Sequence, residues 1–241
     1  MPHSLSAFIV LFLAAALLRI VGLLTRSHAE RLAAVVFSVS LPATILVSLD
    51  GIHFTHTAWR LPLAACLVTV PMLVIAWQLS QLLKLPPLTR GGFLLGTGCI
   101  NSIYFAYPVI HATFGEAGLA RAVLFDLGQT TLTLTLLYAL ALWHGPGSRH
   151  AGAAIQRFIA APPLWALAGI LILKLAGLRL PLWLRDLLVP IHMTTTPLAS
   201  LVLGLSISLS GDAKLGLAAV GVLLRMGIGL LLGLLAAQVL Q

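Results

Sequence analysis

Residues 215–240 read LGLAAVGVLLRMGIGLLLGLLAAQVL, an apolar run with a single charge, Arg225. A helix needs about 20 mostly apolar residues to cross the hydrocarbon core, so this run is long enough alone. Its apolarity is continuous rather than alternating, which favours a helix over a barrel strand. Seven other runs of the same kind precede it, at 5–24, 32–49, 58–83, 91–113, 119–143, 163–178 and 182–209. The breaks between them collect Gly, Pro and charge, as loops do. The pattern predicts an all-α polytopic membrane helix bundle of about eight transmembrane helices.

Composition points the same way. Of 241 residues 60% are hydrophobic and 8% charged, more apolar side chain than the interior of a soluble domain this size can hide. The net charge of +8 sits between the apolar runs, where it reads as an orientation signal rather than a nucleic-acid footprint. Odd-numbered loops hold Arg26, Arg31, Lys84, Arg90, Arg149, Arg157 and Lys214, and even-numbered loops hold Arg60, Arg121, Arg179 and Arg185. That bias favours an external N-terminus in a cell (inner) membrane, although Lys174, Arg179 and Arg185 pull the other way. Trp59, Trp143 and Trp183 fall near run ends, where indole rings prefer the interface. Cys66 and Cys99 lie inside apolar runs, with neither a disulfide framework nor a metal spacing. The first run lacks a basic leader and a clear cleavage site, so it reads as a retained span. No cofactor is expected.

A repeat is concealed in the chain. Leu18-Arg19-Ile20-Val21-Gly22-Leu23 resembles Leu173-Lys174-Leu175-Ala176-Gly177-Leu178, 155 positions on. At the same offset Pro42 meets Pro197, and Leu46-Val47 meet Leu201-Val202. The offset contains five helices, and an odd number inverts the second copy, as in many secondary transporters. The expected organisation is a first five-helix repeat over 1–143, a cytoplasmic linker over 144–162 and an incomplete second repeat of three helices over 163–241. By the same offset a complete second copy ends near position 298, and the images of the fourth and fifth spans are missing.

The fourth run is unusual in its middle, Asn101-Ser102-Ile103-Tyr104-Phe105-Ala106-Tyr107-Pro108. Pro108 has no N–H and frees a carbonyl one turn back, near Tyr104. Asn101 supplies donors and an acceptor about two turns earlier. A broken helix at mid-membrane is how transporters build small-ion sites. A kinked structural helix whose Asn101 bonds a neighbouring span fits the same residues. The fifth run carries Asp126 and Gln129. Asp126 lies about 13 Å into its span and Arg225 about 16 Å into the eighth, so the two reach similar depths. Pairing, or a shared cavity, is the functional reading; a snorkelling Arg225 with a protonated or hydrogen-bonded Asp126 is the structural one.

Thr195 and Thr196, just before Pro197, are candidate ion ligands, although threonines in spans commonly bond their own helix. Asp50, His53 and His56 make a weak surface metal candidate, and no metal is assigned. The Gly92/Gly96 and Gly229/Gly233 pairs suit close helix packing. Paired intramembrane carboxylates, a His-Glu-x-x-His motif and a Ser–His arrangement are all missing, so an intramembrane enzyme is not expected.

Together these stretches resemble the auxin efflux carrier family. Asn101 with Pro108, Phe114-Gly115-Glu116-Ala117-Gly118-Leu119 and Phe125-Asp126-Leu127-Gly128-Gln129 resemble its fourth and fifth helices. Ser40-Leu41-Pro42-Ala43 resembles its second and Thr195-Thr196-Pro197-Leu198-Ala199 its seventh. The resemblance implies ten helices in two inverted repeats, a scaffold from the first, second, sixth and seventh, and a mobile transport domain from the others. It marks Asn101, Tyr107 and Pro108 as the crossover of broken helices, with Asp126 nearby. Ile103 and Ala106 stand where the family has glycines. The expected function is a permease for small organic anions such as dicarboxylates, working by alternating access. The substrate-binding candidates are Asn101, Tyr107, Pro108, Asp126, Gln129 and Arg225, with a proton or sodium ion as coupling partner. Membrane lipid is a partner, nucleic acid is not, and a homodimer is compatible with the chain. The alternative is a truncated, transport-incompetent protein or a subunit needing another chain.

Overall fold

The computed structural model describes residues 2–51, 59–98, 101–144, 156, 160–207 and 215–240. His53, His56, Cys99 and most of the 144–162 linker lie outside them. Every regular element among the described residues is a helix.

The first run is α1 (Pro2–Ile20). The second comprises α2 (Arg26–Val35), a π turn (Val36–Ser40) and α3 (Leu41–Asp50). It begins ahead of its apolar stretch because its polar first turn is also helical. There the Thr25 N–H bonds Nδ1 of His28 at 3.1 Å, and Arg26 pairs with Glu30 at 3.0 Å. Next come α4 (Arg60–Leu82), α5 (Pro87–Gly98), a π turn (Ser102–Ala106) and α6 (Tyr107–His144). The chain ends with α7 (Pro162–Leu175), α8 (Leu182–Met193), α9 (Thr195–Leu205), α10 (Leu215–Leu223), a π turn (Leu224–Ile228) and α11 (Gly229–Val239).

Five stretches are long and apolar enough to cross a bilayer: Arg26–Asp50, Arg60–Leu82, Thr89–Leu132, Leu182–Leu205 and Gly216–Val239. Leu5–Ile20 and Pro162–Leu175 are apolar but shorter. The expected fourth and fifth spans share Thr89–Leu132, because the loop expected at 114–118 is one residue. Gly115 (φ 65°, ψ −160°) turns the chain by itself, in a conformation that only glycine adopts cheaply. Exposed leucines such as Leu223, Leu230 and Leu234 suit a lipid solvent. The protein is therefore a polytopic helical membrane protein.

The chain forms two compact units that each draw on both halves of the sequence. One holds Met1–Phe54, Asn101–Val123 and Phe158–Leu209; the other holds Thr55–Ile100, Leu124–Arg157 and Ser210–Gln241. The first thus gathers the first, second, sixth and seventh spans, with the segment after the fourth-helix break. In it α1 packs along α9, and α3 against α7 and α8. Gly204 permits the α1–α9 approach, since a Cβ there would strike the Phe12 carbonyl and Ala15. In the second unit Ala76, Phe93, Leu94 and Leu224 form a core joining α4, α5 and the eighth span. Gly128 brings α6 onto the Pro62 backbone of α4, and Gly98 abuts Leu73. The pairs singled out from spacing behave differently. Gly92, Gly96 and Gly233 face open space, and only Gly229 meets a neighbour, Cε of Met72 at 3.2 Å. A four-residue spacing marks a smooth face without saying what lies against it.

Positions 155 apart also match in backbone detail. Gly22 (φ 82°) and Gly177 (φ 70°) end α1 and α7 in the left-handed region. Gly22 N–H donates to Arg19 O at 3.2 Å, and Gly177 N–H to Lys174 O at 3.0 Å. One residue earlier, Val21 bonds Leu17 O at 2.9 Å and Ala176 bonds Ile172 O at 3.0 Å. The π turn before Pro42 corresponds to the break at Thr194 before Pro197. Each proline removes an N–H and loosens the ladder one turn back.

Candidate functional site: two helix breaks and a histidine–carboxylate cluster

The fourth helix is interrupted where its sequence is odd. Past α5 (Pro87–Gly98), Asn101 is non-helical (φ −81°, ψ 73°), and a π turn leads into α6 at Tyr107. On the far side of the break, Oδ1 of the exposed Asn101 accepts from the Tyr104 N–H at 3.3 Å. Tyr107 and Pro108 are buried. A helix end leaves carbonyls without partners, and these must be satisfied in a membrane. On the near side two side chains do this. Nε2 of Gln129 donates to Gly98 O at 2.7 Å, while its Oε1 accepts from the Thr69 hydroxyl at 2.8 Å. The guanidinium of Arg225 donates to Thr97 O. A cation at a helix C-terminus also meets the negative end of the helix dipole. Gln129 is 2% exposed, so its hydrogen-bonding capacity goes to holding the break. Asp126 is half-buried on α6.

Arg225 and Thr97 also line a cavity of about 520 Å³ between α5 and the eighth span. Phe93, Gly96, Gly221 and Val222 add apolar and small surface. Gly92 and Gly96 thus make room for the cavity.

A second polar concentration lies wholly within the first unit. Nε2 of His111 and Nε2 of His192 each lie 3.0 Å from the same oxygen, Oε1 of Glu116. His192 is 4% exposed, whereas Glu116 is 59% exposed, so the cluster is open on one side. The other ring nitrogens meet threonines: Nδ1 of His192 is 3.2 Å from Thr44 Oγ1, and Nδ1 of His111 is 3.5 Å from Thr196 Oγ1. Thr44 donates to Ser40 O at 3.0 Å and lies 2.7 Å from the Thr195 hydroxyl. Thr195 is buried and also within 3.2 Å of Ser40 O. Of the two proposed ion ligands, Thr195 thus ties the second and seventh spans together and Thr196 faces His111.

The sequence reading missed His111, Glu116 and His192 as a group. Five positions apart on an unbroken helix, His111 and Glu116 point about 140° apart. The turn at Gly115 brings them together. His192 arrives from the last turn of α8, two residues before its break at Thr194. The only available signal was Gly115 between two polar residues. Asp50, from the weak surface candidate, is engaged elsewhere: it lies 3.8 Å from Lys174 Nζ and accepts from the Leu180 N–H at 3.0 Å.

A polytopic bundle with helices broken at polar residues is the architecture of a membrane transporter. The chain belongs to the membrane transport protein family, which matches residues 3–150 and is the auxin efflux carrier family its motifs resemble. It is 30% identical over 199 residues to an uncharacterized transporter of Methanocaldococcus jannaschii, covering 79% of this chain and 63% of that protein. It is 31% identical over 181 residues to an uncharacterized transporter of Methanothermobacter thermautotrophicus, covering 73% and 58%. The matches span about three fifths of each relative's length.

Proposed function

We propose that this protein is a secondary carrier of small organic anions, dicarboxylates among them, working by alternating access in a cell membrane with its N-terminus outside. The observation that carries the proposal is the break at Asn101, with its amide exposed, in a chain of a membrane transport family. A break of this kind presents backbone amides and a side-chain amide that a carboxylate can use. Arg225 brings positive charge to the wall of a largely apolar cavity, as an organic anion requires. Asp126, an ionisable group within a span, is the proposed coupling position for a proton or sodium ion. Alternating access draws support from the matched caps at Gly22 and Gly177, which fit two related repeats.

Uptake of labelled malonate and malate into proteoliposomes containing the purified chain tests the proposal. Saturable flux above empty liposomes, dependent on a proton or sodium gradient, is expected. Flux no greater than in empty liposomes for every dicarboxylate tried contradicts it.

A further inference from the structure

We propose that His111, Glu116 and His192 bind one divalent transition-metal ion of the zinc class. The three ligand atoms lie within 4.8 Å of one another, and both Nε2 atoms are 3.0 Å from Glu116 Oε1. Ligands about 2.0–2.1 Å from a tetrahedral zinc lie about 3.3 Å apart, so small side-chain rotations make the set fit. Two imidazoles and a carboxylate suit zinc and its neighbours rather than calcium or magnesium, which take oxygen. The exposed side of Glu116 leaves a fourth position for water.

The contacts around Thr44 are compatible with a ligating His192. A carbonyl only accepts, so the Thr44 proton goes to Ser40 O. Thr195 has one proton for two contacts, Ser40 O at 3.2 Å and the Thr44 hydroxyl at 2.7 Å. With the Thr44 proton on Ser40 O, the 3.2 Å contact to Nδ1 of His192 suits an Nδ1–H donating to the Thr44 oxygen. In the neutral ring that leaves a bare lone pair on Nε2, 3.0 Å from a carboxylate oxygen. Two such atoms sit at that distance with a proton or a metal ion between them. A metal ion fills that place with all three ligand atoms converging on it, and an Nδ1–H to threonine bond is the outer contact that orients a ligating histidine. Thr196 stands in the same relation to Nδ1 of His111. The ion would join the Gly115 turn to the end of α8, two elements that each stop being regular helix at this place. This site stands independently of the anion proposed above.

The test uses the full chain purified without a polyhistidine tag, stripped with a chelator and titrated with zinc chloride. Calorimetry and elemental analysis are expected to give one zinc per chain. X-ray absorption is expected to show two imidazoles in the shell. Zinc should raise the melting temperature, reversibly with chelator. Glu116→Gln, a change at an exposed side chain, should abolish that rise and weaken binding, as should His111→Ala. Thr44→Val should weaken binding by about tenfold or more. His28→Ala, in a different turn, should bind like the parent. No stoichiometric zinc on the parent protein at micromolar metal, or equal affinity in Glu116→Gln, overturns the proposal. A proton alone then bridges the cluster.

Discussion

The carboxamide of Gln129 donates to the carbonyl of Gly98 at 2.7 Å and so closes the end of a helix that stops inside an apolar span. With Arg225 on the neighbouring Thr97 carbonyl, it gives the broken end the partners that the bilayer cannot supply.

Replacing Gln129 with Leu leaves Gly98 O and the Thr69 hydroxyl without these partners. A buried polar group so stranded costs about 1–3 kcal/mol. Thermal unfolding in detergent is expected at a clearly lower temperature. Thr69→Val, which removes a partner but leaves the Gly98 bond, is expected to cost less.

Arg225 serves as both cap and cavity charge, and two substitutions separate the roles. Arg225→Leu is expected to abolish anion uptake while the protein still purifies as a folded species. Arg225→Lys retains a donor and a charge and is expected to keep part of the uptake. Uptake by Arg225→Leu equal to the parent would reduce this residue to a structural cap.

Gly22 and Gly177 occupy the left-handed region at equivalent positions. An alanine there costs about 1–2 kcal/mol from backbone strain alone, because nothing lies within 4 Å of the added methyl. The two single variants are expected to lose similar stability. Gly169→Ala, at an open helical position, is expected to lose none.

Gly204→Ala pushes a methyl into the Phe12 carbonyl and Ala15 across the α1–α9 contact. A lower melting temperature and a larger detergent-solubilised radius are expected. Gly233→Ala has open space and is expected to leave both unchanged.

The membrane class was legible because lipid forces long apolar runs on any chain that spans it. The fourth-helix break was legible too, since Asn101 and Pro108 are each anomalous in such a run. The roles of Gln129 and Arg225 were not: each bonds a backbone carbonyl far away in sequence, and a carbonyl leaves no residue signature. The His111–Glu116–His192 group was hidden for a related reason. Helical spacing keeps the first two apart, and only the φ of Gly115 reverses that. Thr195 reads as an ion ligand by type, yet folding sets it against Thr44 and Ser40.

Aqueous access at Asn101 gives the sharpest check on the whole reading. In a background with Cys66→Ala and Cys99→Ser, Asn101→Cys is treated in membranes with a water-soluble, membrane-impermeant maleimide, alongside Leu13→Cys on the exposed apolar face of α1. Rapid labelling at 101, slowed by the transported dicarboxylate, with none at 13, is the expected result. A cysteine at 101 as inert as the one at 13 would place the break in lipid and contradict the carrier.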